Sequence, residues 1–498
     1  MKNALCLAAL FLAAGAFGKT RTTVVVSDLH IGVGRCGAKW CPSEDFRWPD
    51  EFAAFLRKID VYGDVDLIFN GDTFELWQSL SRDCSHDDAN LGCSEAEALG
   101  RFIRVADQHS PTLDEILAFA ARRDNRVVFV PGNHDAALLY PSVRAELLRR
   151  VKSDRVSVAS EGYWIAPSDG AVYAEHGHQI GRDPNRMKRW PAPFLRDDGN
   201  VQYLQKTWGE QFVQDFYNAY EERFPAIDNI AGESSGLHYG FKKIGFIGTL
   251  VALGRFVKFG LLDESPEQLA QGLSPQNKTR KWDVDATRLM GDELLTKGMG
   301  EDTPLGSLLD SQAARDAADV HIASLSKSEL TILCNRLYAR SLKGETVPQC
   351  VFSPAGLSPE GGLGAIADAL LKDRDTKLIE RVTAVDGQLK QAAERRFGVF
   401  IYSHTHEPLP KFELTANGRL VAFANTGAWQ HLASGKWAKD YESSHGSHGD
   451  VIAQEPEVIP DCFTFVVVRA DERSFPDLLR WNYDPATGKG TIDRTSCQ

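Results

Sequence analysis

Five times in this 498-residue chain an apolar, β-branched run ends in side chains that can hold a hard or borderline metal ion. "TTVVVSDLHIG" ends in Asp28 and His30, "VDLIFNGDTFELW" in Asp72, and "RVVFVPGNHD" in Asn133 and His134. "AVYAEHGHQ" delivers His176 and His178, and "GVFIYSHTH" delivers His404 and His406. Short runs of this composition read as buried strands. Open α/β sheets place their sites just beyond the carboxyl ends of strands. In extended backbone, residues i and i+2 project to one side, so Asp28/His30 and His404/His406 are each expected to face one locus. A single such pair is ordinary loop polarity. Five at equivalent positions are not explained by accident.

The rest of the pattern is that of an α/β chain. Further strands are expected at Leu420–Ala424 and Phe463–Val468, with Leu478–Tyr483 as partner of the last. Helical periodicity marks Asp50–Lys58 and Thr112–Arg123, and the alternation over the first 180 residues predicts a layered α/β fold. From 190 to 395 the pattern turns helical, clearest at Val201–Arg223, Phe241–Leu262, Pro304–Ala317 and Pro359–Ala393. That stretch reads as a helical insertion or cap between two parts of one core, residues 19–189 and 396–498. Phe241–Leu262 has an uncharged centre flanked by Lys242, Lys243, Arg255 and Lys258. Its centre is about half the length needed to cross a bilayer. It suits a buried cap helix, or one lying on a membrane or lining a lipid-accepting groove. "SSHGSHGD" (Ser443–Asp450) reads as a solvated loop, with weak metal binding as the alternative.

The N-terminus has Lys2, an apolar core from Ala4 to Leu12, then small residues to Gly18. This is the layout of a secretory signal peptide over residues 1–18, so the chain is expected to be exported, periplasmic or secreted. Of nine cysteines only Cys6 lies in that segment, and the even remainder predicts disulfides. Local pairs 36–41, 84–93, 334–350 and 462–497 are the simplest connectivity, with a zinc site on Cys36 and Cys41 as the competing reading. The net charge of −12 argues against affinity of the whole protein for nucleic acid or anionic membranes, without bearing on a local basic patch.

Carboxylate, imidazole and amide oxygen, without thiolate, suit Mn²⁺, Fe or Zn²⁺. The ligands Asp28, His30, Asp72, Asn133, His176, His404 and His406 exceed what one transition ion needs. One carboxylate bridging two ions uses them economically, and Asp72 lies between the two sets in sequence. Two ions held close together favour a hydroxide nucleophile and clamp a phosphoryl oxyanion.

Asp28-x-His30, Gly71-Asp72, Gly132-Asn133-His134-Asp135, His176 and His404-x-His406 together resemble the signature of the calcineurin-like metallophosphoesterases. "GDTFELW", "GNHD", "HGH" and "NTGAW" (Asn425–Trp429) resemble most closely the UDP-diacylglucosamine pyrophosphohydrolase-like branch. The resemblance covers residues 22–186 and 396–430. It implies a layered β-sandwich flanked by helices (αββα), here interrupted by the helical insertion. It also implies two divalent transition-metal ions and hydrolysis of phosphate mono-, di- or pyrophosphate esters by a metal-bridging hydroxide. Asp28, His30, Asp72 and His406 would bind the first ion, and Asp72, Asn133, His176 and His404 the second. His134 would sit beside the phosphate as general acid, with Asn133 also touching substrate.

Around that signature several residues carry more than one reading. Arg182 and Arg186 in "GRDPNRMKRW" either grip a substrate phosphate bidentately or are solvated at a surface turn. Asp135 orients a neighbour or closes a turn. His178 stands where the branch tends to have aspartate, as an extra ligand, a phosphate contact or a bystander. Ser403 stands where the family often has glycine. "RDCSHDDANLGC" predicts a disulfide-clamped loop near the site, with His86, Asp87 and Asp88 solvated. The branch resemblance suggests a lipid-linked or nucleotide-linked pyrophosphate substrate, whereas export suggests periplasmic or extracellular phosphomonoesters, phosphodiesters or phospholipids. Two other classes compete: a non-catalytic metal-binding scaffold, expected to have shed ligands, and another metallohydrolase acting on carboxylic esters or amides.

Overall fold

Every residue of strand β1 (Thr22–Val26) is buried, and its side chains go two ways. Val24 and Val26 pack among helical residues such as Phe52 and Phe55, while Val25 packs against a second sheet. A strand covered on both faces reads as a continuous apolar run, which is what makes these strands legible in the sequence. The structure is a computed structural model that describes residues 20–78, 84, 86, 90–181, 185–207, 209–210, 213–214, 218–221, 224–229, 350–353, 356–359, 377–389, 396–433, 435–445, 451–494 and 497.

The strands of the two main sheets are, in chain order, β1, β2 (Val65–Asn70), β3 (Arg126–Val130), β4 (Val156–Val158), β5 (Trp164–Ile165), β6 (Val172–Ala174), β7 (Val399–Tyr402), β8 (Pro408–Ala416), β9 (Arg419–Thr426), β10 (Trp429–His431), β11 (Asp461–Val468), β12 (Pro476–Asp484) and β13 (Lys489–Asp493). The first sheet runs β13-β12-β11-β1-β2-β3-β4, with β10 also on β11. β1 to β4 are parallel, and β11 is antiparallel to β1. The second sheet runs β8-β9-β7-β6-β5, with β7 parallel to both neighbours. Each expected strand is present, within a residue or two of its expected ends.

Parallel neighbours need crossovers, and helices supply them. These are α1 (Pro49–Lys58), α2 (Glu95–Gln108), α3 (Ser110–Ala121) and α4 (Pro141–Val151). α1 opens on a proline, whose missing N–H is no loss in a first turn, and buries Phe52, Phe55 and Leu56. Each such side chain is worth about 1.5–3 kcal/mol. α2 opens on a capping box formed by Ser94 and Glu97. On the far side, residues 377–389 are helical, and Leu378, Val382, Val385 and Leu389 pack on Tyr173, Phe400 and Phe423 of the second sheet. The layers are therefore helices, sheet, sheet, helix.

Most of the expected insertion, including Phe241–Leu262 and Pro304–Ala317, lies outside the described residues. Its described parts correct the helical reading in two places. Gln202–Gln205, the start of the expected helix Val201–Arg223, is a strand between Phe194–Arg196 and Leu91–Ser94. Gly356–Pro359, at the start of the expected helix Pro359–Ala393, pairs with Cys350–Ser353. Segments of four residues are too short to show a period, and the partner strand decides. Ser443–His445 closes a helix, Gly435–His445, rather than opening a loop, and 446–450 lie outside the described residues.

The signal peptide also lies outside the described residues. Disulfides join Cys36 to Cys41, Cys84 to Cys93 and Cys462 to Cys497, which overturns the zinc reading of the first pair. Cys334 lies outside the described residues. Three disulfides suit an oxidising, extracytoplasmic compartment. No helix among the described residues is long and apolar enough to cross a membrane.

Candidate metal centre

The candidate ligand residues arrive from both sheets. Asp28 and His30 follow β1, Asp72 follows β2 and Asn133 follows β3, while His176 follows β6 and His404 and His406 follow β7. All are buried. They gather into two groups: ligand atoms of Asp28, His30 and His406 lie within 4.8 Å of one another, and so do those of Asp72, His176 and His404. Asn133 Oδ1, 3.0 Å from His176 Nε2, joins the second group, as does Asp72 Oδ2 at 2.9 Å from the same nitrogen. The structure brings Asp28, His30 and His406 together, and Asp72, Asn133, His176 and His404 together, with Asp72 in the second group alone.

One expectation about local geometry is overturned. Asp28, His30, Asp72, His404 and His406 all have φ between 49° and 75°, a region that residues other than glycine seldom occupy. The pairs do not project by extended alternation. The strands end at Val26 and Tyr402, and left-handed turns aim each side chain separately. Such conformations cost about 1–3 kcal/mol each and persist where surrounding structure holds them.

Close approach also demands glycine. A Cβ on Gly71 would lie 2.3 Å from the His176 ring, and one on Gly132 would lie 2.2 Å from Asp72 Oδ1. Gly132→Ala is therefore expected to push Asp72 off its position. Thermal melting should show a loss of about 1–3 kcal/mol, and metal analysis a lower content, because the clash is with a ligand.

The imidazoles are oriented from behind. His30 Nδ1 lies 3.0 Å from Glu75 Oε2, and His176 Nδ1 lies 2.9 Å from the Asn70 carbonyl. Both partners are acceptors, so Nδ1 carries the proton and Nε2 presents its lone pair to the site. His30 Nε2 then faces His406 Nε2 at 3.3 Å. Burial works to raise the Asp72 pKa, but the imidazoles of His176 and His134 outweigh it and hold the carboxyl well below its usual range. Burial likewise opposes ionisation of Asp28, and His406 and His176 reverse the balance. Asp28 Oδ1, 3.3 Å from His406 Nε2, accepts no hydrogen bond. Buried ionised carboxylates facing convergent lone pairs call for positive charge, and this donor set fits divalent transition-metal cations.

Sequence reading missed Glu75, the acid three residues after Asp72 in an otherwise apolar "TFELW". Its Oε2 meets Nδ1 of both His30 and His134, while Oε1 accepts the N–H groups of Trp77 at 2.6 Å and Gln78 at 2.9 Å. Burial pushes Glu75 up, but His134 and His30 more than offset this, so it stays ionised. His134 stacks on Trp77 with ring centroids 3.8 Å apart, its N–H donates to Asp72 Oδ1 at 2.8 Å, and its side chain keeps 13% exposure. Asp135 is more than a turn residue: it accepts from the N–H groups of Gly132, Thr73 and Phe74, tying two ligand loops together.

Other expected residues fall elsewhere. His178 is buried edge-on to Trp190 and belongs to neither ligand group, and burial with His176 and His404 nearby keeps it neutral. Arg186 is exposed and donates to the Gly181 carbonyl at 2.6 Å. Arg182 lies outside the described residues, as do Asp87 and Asp88, while His86 sits 3.4 Å from Glu97. Arg381, from the helical residues 377–389, forks onto Glu175 at 2.8 and 2.6 Å, anchoring that layer beside His176.

Residues 21–258 match the family model of the calcineurin-like phosphoesterases. The match takes in the ligand residues Asp28 to His176, together with Glu75 and His134, while β7 and its two histidines lie beyond it. Over residues 21–258 the chain is similar to the calcineurin-like phosphoesterases, a family of hydrolases acting on phosphoester bonds. No curated protein matches the chain.

Proposed function

We propose that the protein is an exported phosphoesterase that uses two divalent cations, Mn²⁺, Fe or Zn²⁺, to hydrolyse phosphate mono-, di- or pyrophosphate esters. One observation carries the reading: two groups of buried carboxylate and imidazole ligands meet from two sheets, with His134 beside them. Asp28, His30 and His406 would hold one cation and Asp72, Asn133, His176 and His404 the other, with Asp72 the residue that would be shared between them. When bound, the cations supply an acidified water able to attack phosphorus and positive charge against the phosphoryl oxygens.

The side chains supply the rest. Asn133 Oδ1 is turned to His176, and its Nδ2, which has no hydrogen-bond partner, is left to donate to a phosphoryl oxygen. His134 has Nδ1 on Glu75, so the proton given to the leaving oxygen comes from Nε2. The ionised Glu75 favours the protonated imidazole this step needs, and Trp77 holds its plane. The branch resemblance favours a lipid-linked or nucleotide-linked pyrophosphate as substrate.

Exhaustive chelation is expected to abolish hydrolysis of an aryl phosphate and an aryl phosphodiester, and Mn²⁺ or Zn²⁺ to restore it. Full activity in verified metal-free protein would sink the proposal. A panel of mono-, di-, pyrophosphate and lipid phosphoesters then ranks the substrates.

A further inference from the structure

Each candidate ligand group draws on both sheets, and a line of hydrogen bonds runs between the two groups inside the sandwich. Asp28 Oδ2 accepts from Ser27 Oγ at 2.5 Å. Ser27 Oγ lies 2.6 Å from Thr426 Oγ1, and Thr426 Oγ1 lies 2.7 Å from Ser403 Oγ. Ser403 Oγ accepts from the side-chain Nδ2 of Asn70 at 2.8 Å, and the backbone carbonyl of the same residue accepts from His176 Nδ1 at 2.9 Å, so the line passes through Asn70 itself. Ser27, Asn70, Ser403 and Thr426 are all fully buried.

The direction of this line is fixed at both ends. Asn70 Nδ2 also donates to the Glu175 carbonyl at 2.8 Å, so its amide cannot be turned round. A ligand carboxylate only accepts, and each hydroxyl has one proton. Ser403 therefore gives to Thr426, Thr426 to Ser27, and Ser27 to Asp28. The competing carbonyls are farther: Tyr402 and Gly427 at 3.5 and 3.3 Å from Thr426 Oγ1, and Gly427 at 3.0 Å from Ser27 Oγ. Dipoles aligned in this way reinforce one another.

We propose that Ser27, Thr426 and Ser403 are positioning residues that lock Asp28 to His176 across the sandwich and so set the spacing of the two cations. Ser403 stands where the family often has glycine, and glycine there would cut the line. The inference rests on the two-cation reading above. It makes no use of a hydroxyl as ligand or nucleophile.

Thr426→Val keeps the shape of the side chain, removes the central hydroxyl and touches no ligand. Thr426→Ser keeps the hydroxyl. Mn²⁺ is the probe, with affinity read by calorimetry, the magnetic coupling between neighbouring Mn²⁺ ions read by electron paramagnetic resonance, and melting of the metal-free proteins as the control for folding. Thr426→Val is expected to weaken Mn²⁺ binding on the order of tenfold to a hundredfold and to diminish the coupled signal, while Thr426→Ser stays near wild type. If Thr426→Val fails to fold, Ser403→Ala breaks the adjacent link and is read the same way. Affinity within about twofold of wild type, with coupling unchanged, overturns the inference. A wild-type protein that binds no Mn²⁺ overturns the two-cation reading and, with it, this one.

Discussion

Asp72→Ala is expected to strip the second cation from the site and to loosen the first. The carboxylate stands 2.9 Å from His176 Nε2 and accepts the backbone N–H of His134, so its loss removes an anion and frees a loop together. Loss of a partner behind a ligand typically weakens metal binding about 10–100-fold, and loss of a ligand should exceed that. Metal analysis of purified protein should show the depletion, with turnover of an aryl phosphate falling by more than about 100-fold. The fold should survive, because the sandwich cores on either side do not include this residue. Unchanged metal content in Asp72→Ala would count against the bridging role.

His134→Ala should behave differently, leaving the metal content as it is and lowering kcat on the order of 10²–10⁴-fold. The size of the loss should depend on the leaving group. An alkoxide needs a proton as it departs, whereas a nitrophenolate leaves readily without one. The wild-type to variant ratio is therefore expected to be large for alkyl phosphates and small for nitrophenyl phosphates. Equal losses for both leaving groups would mean that His134 steadies the phosphate rather than supplying a proton.

Much of the core was legible because strands buried on both faces cannot hide: "TTVVV", "VDLIF" and "VFIY" give nearly correct ends. The convergence of the candidate ligands was legible for a related reason, since hard side chains at five strand ends are a long-range pattern that needs no register. The left-handed turns holding five of those residues were not, because nothing in Ser-Asp-Leu-His forbids extended backbone. Glu75 was overlooked although visible: an acid inside an apolar run is costly to bury unless partnered, and two imidazoles partner it. α2 was not read from the sequence, although its Ser94-x-x-Glu97 start is a capping-box pattern. Gln202–Gln205 was hard to read because it is short and sits between two partners, the nearby Phe194–Arg196 and Leu91–Ser94, more than a hundred residues earlier.

The place of β7 has a consequence for how the molecule can change. β7 is an inner strand, bonded to β6 on one side and β9 on the other, so the chain must return to it after whatever lies between. Closing a flexible loop grows dearer only with the logarithm of its length, about 0.6 kcal/mol for each doubling. The gap between β6 and β7 therefore works as a socket. The length of chain between these strands is expected to vary at little cost to the pairing of β7 with β6 and β9.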